Sequence, residues 1–322
     1  MVNRPRDWVY VFGILLALGL LPLAQPSEYV LSFLYFLFSY AAMAVAWNVL
    51  GGFGGYLSFG HVTFFGTGAY VTGLMLVHWG WSPLITAPLG GLAAALLALV
   101  IGYPTLRLRG PYFTVVTVVT VLIAKIVVLN VPLTGAAMGL WMPFPPWDPF
   151  TSRVIFYEAV LVLLLAALLM ARWVQHAKFG FGLRVIREDE DAAAAIGVPA
   201  FRLKLGALLL SAFVCGMVGA VHGYDRSYLH PDFMFDLHPS IMMVLMALFG
   251  GRDHWLGPLV GAVAVMITDE LLTVYVGTEA ARMLFGLLLI IVVLFLPEGV
   301  ISLRLPKKPP RAAAAGEGVS SP

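Results

Sequence analysis

The sequence predicts an all-α, polytopic membrane protein of about ten transmembrane helices with a cytosolic coupling helix, and three observations support this fold class. Hydrophobic residues make up 61% of the 322 residues and charged residues only 11%, whereas soluble domains carry roughly 25% charged residues. No Asp, Glu, Lys or Arg lies between Glu28 and Arg107. The apolar runs lack the alternating strands of a barrel, so helices are the structure that satisfies their backbone in lipid.

Ten apolar runs are candidate spans, since about 20 residues cross the hydrocarbon core of a bilayer. They lie at about 8–24, 29–50, 58–79, 83–103, 112–130, 154–173, 204–223, 237–250, 255–276 and 281–297. We interpret the first run as a retained helix, because no clear small-residue cleavage site follows it. The eighth run is short, so it either crosses the membrane fully or forms a half-helix or re-entrant segment.

Lys and Arg set the predicted orientation, because cytosolic loops carry an excess of both. With the N-terminus in the cytosol, fifteen of the 19 Lys and Arg fall on the cytosolic side. The sequence therefore predicts a transmembrane domain over 1–303, with a cytosolic coupling loop at 175–203 and both termini in the cytosol. The small and polar tail over 304–322 is predicted to be disordered. A net charge of only +2 gives no reason to expect nucleic acid as a partner.

The densest run of charge lies within the coupling loop. Residues 184–195 predict one short helix that Gly197 and Pro199 end. The alanines at its end would leave a narrow ridge, which suits insertion into a groove on another protein. The alternative is an ordinary solvated connection between two spans. The predicted docking residues are Arg184, Arg187, Glu188, Asp191, Ala192, Ala193 and Gly197.

A glycine-rich stretch covers residues 48–73 around the start of the third span. Glycine at this density lets helix backbones approach closely, or lets a helix break beside a cavity. Two interpretations therefore remain open, namely helix packing alone and the lining of a translocation pathway. In the second interpretation the pathway residues are Asn48, Ser58, His61, Thr63, Phe64, Tyr112 and Thr117.

Catalytic chemistry finds little support in the sequence. The chain contains no G-x-x-x-x-G-K-[ST] phosphate loop, so any ATP that drives it would be bound by partner subunits. Its His and acidic residues are too scattered for a catalytic or metal site. We therefore predict no catalytic residue, no bound metal and no cofactor.

Two outer loops stand apart from the spans. Residues 131–152 contain five prolines and two tryptophans. Proline blocks regular helix and sheet, and tryptophan favours the membrane interface. The loop is therefore either an interfacial cap over the helices or a platform that a substrate-delivering partner touches. The second loop carries Asp225, Arg226, His230, Asp232 and Asp236.

Several ordered blocks resemble the permeases of branched-chain amino-acid ABC transporters, of the LivM type. The blocks are LGGFGGYLSFGHVTFFGTGAY (50–70), GPYFTVVTVV (110–119), LTGAAMGL (133–140), RVIREDEDAAAAIGV (184–198), LFGGRDHWLGPLVGA (248–262) and FLPEGVISL (295–303). Within the fourth block, DAAAAIG (191–197) resembles the EAA-x-x-x-G loop of ABC import permeases, with Asp in place of Glu.

This resemblance implies a permease subunit of an ABC importer in a bacterial or archaeal cytoplasmic membrane. Its cargo would be branched-chain or other hydrophobic amino acids. Its partners would be a second homologous permease, two ATPase subunits docked on the cytosolic loop, an extracytoplasmic substrate-binding protein and the lipid bilayer. Departures at Ala136–Met138 and Arg252–His254 leave urea, short-chain amides and aromatic acids open as substrates.

The alternative from a different class is an ion-coupled secondary transporter, with a broken helix such as 237–250 as its binding element. That mechanism would require paired acids deep in the membrane. The ionisable candidates are Lys125, Glu158, Asp269 and Glu270. All four lie toward the outer ends of predicted spans, where snorkelling explains them.

Overall fold

The computed structural model describes residues 5–295 and Gly299, and the described residues form thirteen α-helices with one two-stranded sheet. The elements are α1 (Pro5–Gly19), α2 (Glu28–Asn48), α3 (His61–Trp79), α4 (Pro83–Thr105), α5 (Pro111–Asn130), β1 (Leu140–Trp141), α6 (Pro149–His176), α7 (Lys178–Glu188), α8 (Glu190–Ala195), α9 (Ala200–Arg226), β2 (Tyr228–Leu229), α10 (Pro231–Met234), α11 (Leu237–Gly250), α12 (Gly257–Val276) and α13 (Thr278–Phe295). The all-α fold class is confirmed.

Each of the ten predicted spans coincides with a helix, and seven helical segments are long and apolar enough to cross a membrane. These seven are Glu28–Phe53, Pro83–Thr105, Pro111–Asn130, Pro149–His176, Ala200–Arg226, Pro231–Gly250 and Gly257–Val276. The short eighth span is α11, whose 14 residues rise only about 21 Å along the helix axis. The segment reaches the length of a span because α10 precedes it directly.

Close packing of α3 against α9 depends on glycine. A Cβ atom at Gly68 would lie 2.0 Å from the carbonyl oxygen of Gly216, and one at Gly219 would lie 1.9 Å from that of Phe65. Neither position can carry a side chain without moving a helix. Small residues of this kind let membrane helices approach at backbone distance, so part of the glycine-rich stretch serves helix packing.

The coupling loop folds differently from the single helix predicted over 184–195. Asp189 has an extended backbone, with φ −158° and ψ 113°, and separates α7 from α8. Its side chain accepts hydrogen bonds from the backbone N–H groups of Asp191 at 2.9 Å and Ala192 at 3.0 Å. The prediction of one helix was wrong because aspartate is a strong N-cap and competes with helix continuation at this position.

Two ends of the molecule can be named from these loops. The inner end carries residues 177–199, which lie within the predicted cytosolic loop 175–203, together with the α2–α3, α4–α5 and α11–α12 loops. The outer end carries residues 131–148 and 227–236, where β1 pairs with β2 in antiparallel register, Leu140 opposite Leu229. The predicted disordered tail over 304–322 lies outside the described residues.

Candidate functional site at the inner end

A buried lysine near the start of α9 is the centre of the inner end. Lys204 donates hydrogen bonds from Nζ to Glu190 Oε1 at 2.6 Å, to the Tyr56 hydroxyl at 2.8 Å and to the Leu106 carbonyl oxygen at 3.0 Å. An ammonium group has three donors and no acceptor. The lysine therefore uses its full hydrogen-bonding capacity inside the chain.

Glu190, the first residue of α8, completes the arrangement. The Tyr56 hydroxyl donates to its Oε2 atom, so both carboxylate oxygens are held. Burial alone would raise the pKa of Glu190, but the hydrogen bonds from Lys204 and Tyr56, together with the charges of Lys204 and Arg109, hold this pKa below its usual value. Burial and the bond to Glu190 raise the pKa of the Tyr56 hydroxyl. The carboxylate and the phenol therefore keep their ordinary charge states at neutral pH.

A second and more exposed pair ties α8 to the α4–α5 loop. Arg109 contacts Asp191 through two nitrogens, each 2.9 Å from a different carboxylate oxygen, and its Nε lies 3.6 Å from Glu190 Oε2. The hydrogen bond and the charge of Arg109 lower the pKa of Asp191. Two-pronged Arg–carboxylate pairs fix geometry as well as adding attraction. Asp191, a predicted docking residue, thus also binds within its own chain.

The two predicted docking arginines of α7 are engaged in the same way. Arg187 donates from Nη1 to the Gly52 carbonyl oxygen at 2.9 Å and to Asp253 in the α11–α12 loop. Arg184 donates to the Gln175 carbonyl oxygen at 2.6 Å. The Glu188 side chain, by contrast, is 78% exposed. A docking role for these residues stays a prediction, but both arginines hold α7 to the rest of the chain.

The free surface of the coupling loop has an apolar part beside its exposed acidic residues. Ala192, Ala194 and Ala195 are exposed, and Ile196 is 74% exposed. Ala193 is fully buried, so its side chain lies on the inward face of α8 rather than on the ridge. Gly197 follows with φ +83° and open space around it, a left-handed conformation that favours glycine at a helix end.

Most of the predicted pathway residues lie in the interior. Asn48, Ser58, His61, Thr63, Phe64 and Thr117 are buried, whereas Tyr112 is 76% exposed at the start of α5. His61 lies between two hydroxyls, with Nδ1 3.2 Å from Ser58 Oγ and Nε2 3.0 Å from Ser211 Oγ on α9. This arrangement joins α3 to α9 through hydrogen bonds and suits a structural histidine.

Two further contacts place the same residues in the scaffold. Thr117 Oγ1 accepts a hydrogen bond from the backbone N–H of Phe59 at 3.1 Å, and Asn48 Nδ2 donates to the Arg252 carbonyl oxygen at 3.1 Å. Thr63 Oγ1 and Asn48 Oδ1 have no hydrogen-bond partner among the described residues. Whether these side chains also meet a substrate stays a prediction.

An open groove of about 560 Å³ lies beside α8. The walls come from the α2–α3 loop, the start of α5, and helices α7 and α8, and include Gly54, Gly55, Arg109, Pro111 and Glu190. Gly55 has φ +76°, and a Cβ there would lie 2.5 Å from Arg187 Cγ. Glycine is therefore required where the α2–α3 loop passes α7.

The outer end has charge pairs of a looser kind. Lys125 Nζ lies 2.7 Å from Asp232, Arg153 lies 3.4 Å from Asp225, and Arg282 lies 3.6 Å from Asp236. Tyr29 donates a hydrogen bond to Glu270 at 2.7 Å. Among the described residues, no group of three or more His, Cys, Asp or Glu could hold a metal ion. The expectation of no metal and no cofactor stays a prediction.

The sequence reasoning missed the residues that organise the inner end. Tyr56, Arg109, Glu190 and Lys204 come from four separate segments, and the two nearest in sequence, Glu190 and Lys204, are 14 residues apart. One signal was available. Lys204 opens an apolar span, and a lysine in that position either snorkels to the membrane interface or finds a partner inside the protein.

Comparison with known proteins identifies the family. Residues 29–293 match the family described as branched-chain amino acid transport system, permease component. The high-affinity branched-chain amino acid transport system permease protein LivM of Escherichia coli K12 is 27% identical over 306 residues, which cover 86% of this chain and 71% of that protein. No solved structure matches the chain.

Two further relatives extend the likeness. The permease protein LivH of Salmonella typhimurium is 23% identical over 285 residues, covering 82% of this chain and 91% of its own length. The probable permease protein LivM of Methanocaldococcus jannaschii is 22% identical over 282 residues, covering 76% of this chain and 79% of its own length. The resemblance seen in the sequence blocks is confirmed. The chain belongs to the permease components of branched-chain amino acid transport systems, and it is a membrane transport subunit rather than an enzyme.

Proposed function

We propose that this chain is one of two permease subunits of an ATP-driven importer that carries branched-chain amino acids across the bacterial or archaeal cytoplasmic membrane. The observation that carries the proposal is the match over residues 29–293 to a family described by this transport. Similarity to both LivM and LivH, which are two separate permease proteins, supports a homologous second subunit. An ion-coupled secondary transporter is not favoured by these relatives.

The motor consists of two ATPase subunits that dock at the inner end. The absence of a phosphate loop from the sequence requires ATP to be bound elsewhere. The exposed part of α8, with Ile196 at its end, supplies a small apolar knob suited to a groove on such a subunit. Both termini lie in the cytosol, as the distribution of Lys and Arg predicts.

Substrate reaches the outer end on an extracytoplasmic binding protein. At the outer end, Met138, Trp141 and Phe144 are exposed. Exposed clusters of large apolar residues mark contacts with proteins or membrane. Nucleotide-driven closure of the ATPases would move α8, and the permease would alternate between outward and inward openings.

Transport by the reconstituted complex tests the function. The chain is co-purified with a homologous permease and two ATPases and placed in liposomes with a binding protein outside. We expect ATP-dependent uptake of leucine, isoleucine and valine, and little uptake of urea, acetamide or phenylalanine. Uptake that proceeds without the ATPases and follows an ion gradient would contradict the proposal and favour secondary transport.

A single substitution tests the docking surface. Ile196→Asp puts a charge on the apolar knob without disturbing buried residues, so we expect co-purification of the ATPases to fall by about tenfold, since central apolar contacts dominate such interfaces. Met138→Asp, the same kind of change at an exposed apolar residue of the outer end, is the matched control and leaves co-purification unchanged. Equal recovery of ATPases with both variants would show that Ile196 is not at the docking surface.

A further inference from the structure

The coupling helix α8 has few apolar attachments to the permease. Ala193 is its only buried residue, and an alanine methyl group offers little contact area. The remaining attachments are polar: the cap formed by Asp189, the contact of Asp191 with Arg109, and the contacts of Glu190. Apart from the backbone that joins α8 to α7 and α9, a force that displaces α8 is therefore carried mainly by these polar contacts.

The contacts of Glu190 are the buried ones, and they join separate parts of the chain. Through Lys204, Glu190 is connected to α9 and to the Leu106 carbonyl at the end of α4. Through Tyr56, it is connected to the α2–α3 loop. We call Tyr56, Glu190 and Lys204 the inner cluster. Its three side chains form a closed ring of hydrogen bonds in which each contacts the other two.

The α2–α3 loop connects this ring to the buried polar residues beyond it. Two residues after Tyr56, the Ser58 carbonyl accepts a hydrogen bond from Trp47 Nε1 at 2.6 Å, and Ser58 Oγ lies 3.2 Å from His61 Nδ1. Phe59, between them, is held by Thr117 on α5. A movement of Tyr56 therefore acts directly on the segment where α2, α3 and α5 meet.

We propose that Glu190, Lys204 and Tyr56 are positioning residues that lock the coupling helix to the α2–α3 loop, so that displacement of α8 by the ATPases is transmitted to the residues around Ser58 and His61. The proposal rests on the proposed function, because it needs a motor that moves α8. It adds the internal connection through which the motor acts. Neither the family match nor the docking surface assigns a role to these three residues.

Stability alone is a poor explanation for such a cluster. Replacing a buried ion pair by uncharged residues of similar volume is often neutral or stabilising, since desolvation offsets the attraction between the charges. The three hydrogen bonds of Lys204 instead impose a defined orientation on the side chains that they join. They fix one relative position of α8, α9 and the α2–α3 loop, which uncharged side chains in the same space would not do.

A double variant separates transmission from stability. Lys204→Met with Glu190→Gln removes both charges and keeps the volumes close, so no buried charge is left unpaired. In the reconstituted complex we expect the ATPases to co-purify and to hydrolyse ATP, while the number of amino acids imported per ATP falls by about tenfold, as expected for loss of a typical coupling between sites. The matched control is Lys125→Met with Asp232→Asn, which removes the outer pair and leaves this ratio unchanged.

Tyr56→Phe provides an independent arm, because it deletes only the hydroxyl and keeps the ring beside Lys204. We expect a smaller fall in the same ratio, with normal assembly. If the double variant does not fold, the number of amino acids imported per ATP by the Tyr56→Phe variant tests the proposal instead. An unchanged ratio in a folded variant overturns the proposal, and so does loss of ATPase co-purification from a folded variant, because the cluster would then serve docking. Absence of import by the wild-type complex would instead refute the proposed function.

Discussion

The inner and outer ends of the molecule each contain an ion pair between a lysine and a carboxylate, and the two pairs differ in their exposure to water. Lys204 lies 2.6 Å from Glu190 and Lys125 lies 2.7 Å from Asp232, but the side chains of the inner pair are 3% and 17% exposed and those of the outer pair 32% and 55%. Water and salt screen exposed pairs, whose net contribution is about 0–1 kcal/mol. The inner pair is shielded from both. The distance between lysine nitrogen and carboxylate oxygen therefore does not show which pair contributes more to stability; the exposed fraction of the side chains does.

The surroundings of the two pairs sharpen the difference. Lys204 has two further hydrogen-bond acceptors in Tyr56 and Leu106, which leaves it a single position. Asp232 lies within the short helix α10, and its only other charged or ionisable contact among the described residues is His230 at 3.4 Å. The outer pair is therefore open to water, whereas each member of the inner cluster is held by the other two.

The largest effect should come from breaking the inner pair on one side. Lys204→Met leaves Glu190 partly buried beside Tyr56 without its nearest cation, and removal of one partner from a buried pair costs about 3–5 kcal/mol. We expect a much lower midpoint of thermal unfolding for the purified protein. A midpoint within a degree or so of wild type, the scale of a surface substitution, would mean that the pair is not shielded as described.

Removing both charges should recover most of that loss. Lys204→Met combined with Glu190→Gln leaves no unpaired charge, so the double variant should unfold at a higher temperature than Lys204→Met alone. With Glu190→Gln measured alone as well, the four proteins form a double-mutant cycle, and contacting residues in such cycles couple by about 0.5–3 kcal/mol. Strictly additive effects would show that the two side chains act independently.

A smaller effect is expected at the outer end. Lys125→Met removes the cation of a half-exposed pair and should cost at most about 1 kcal/mol. Thermal unfolding of this variant beside Lys204→Met gives the comparison directly. Similar losses from the two substitutions would remove the distinction between the two ends.

The smallest effect concerns pH. The pKa of Glu190 is lower in the folded protein than its usual value, which is about 4.3, so its contribution to stability is present above that value and is lost as pH falls through the folded pKa. The stability difference between wild type and Glu190→Gln should therefore narrow as pH is lowered from about 6 to below about 4. Unfolding midpoints at several pH values measure it, and a difference that widens on acidification would contradict the lowered pKa.

The helices could be predicted from the sequence because apolar length is a local property. Even the short span at α11 was visible, since Asp236 and Pro239 mark its start. The break between α7 and α8 was missed because the alanines after Asp189 favour helix, while the capping bonds of that aspartate do not show in composition. The two-residue strands β1 and β2 are too short to leave a pattern.

The site was harder to predict because it is made of long-range contacts. The sequence indicated that charges near Asp191 were important, but it could not show that Asp191 faces Arg109 or that Ala193 points inward. Tyr56 lies inside the glycine-rich stretch, and the pattern of that stretch comes from its glycines, so it does not indicate a role for the tyrosine. Residues far apart in sequence, such as Tyr56 with Glu190, 134 positions away, or with Lys204, 148 positions away, are brought together only by the fold.

Site-specific cross-linking tests the docking of the motor most directly. The chain has one cysteine, Cys215, which is buried in α9, so a cysteine introduced at an exposed position is readily singled out by a thiol reagent. With a short thiol-to-amine cross-linker, the Ile196→Cys variant should form a covalent adduct with an ATPase subunit, and the Met138→Cys variant at the outer end should not. Adducts with the ATPase from Met138→Cys, and none from Ile196→Cys, would contradict the assignment of the coupling loop to the motor.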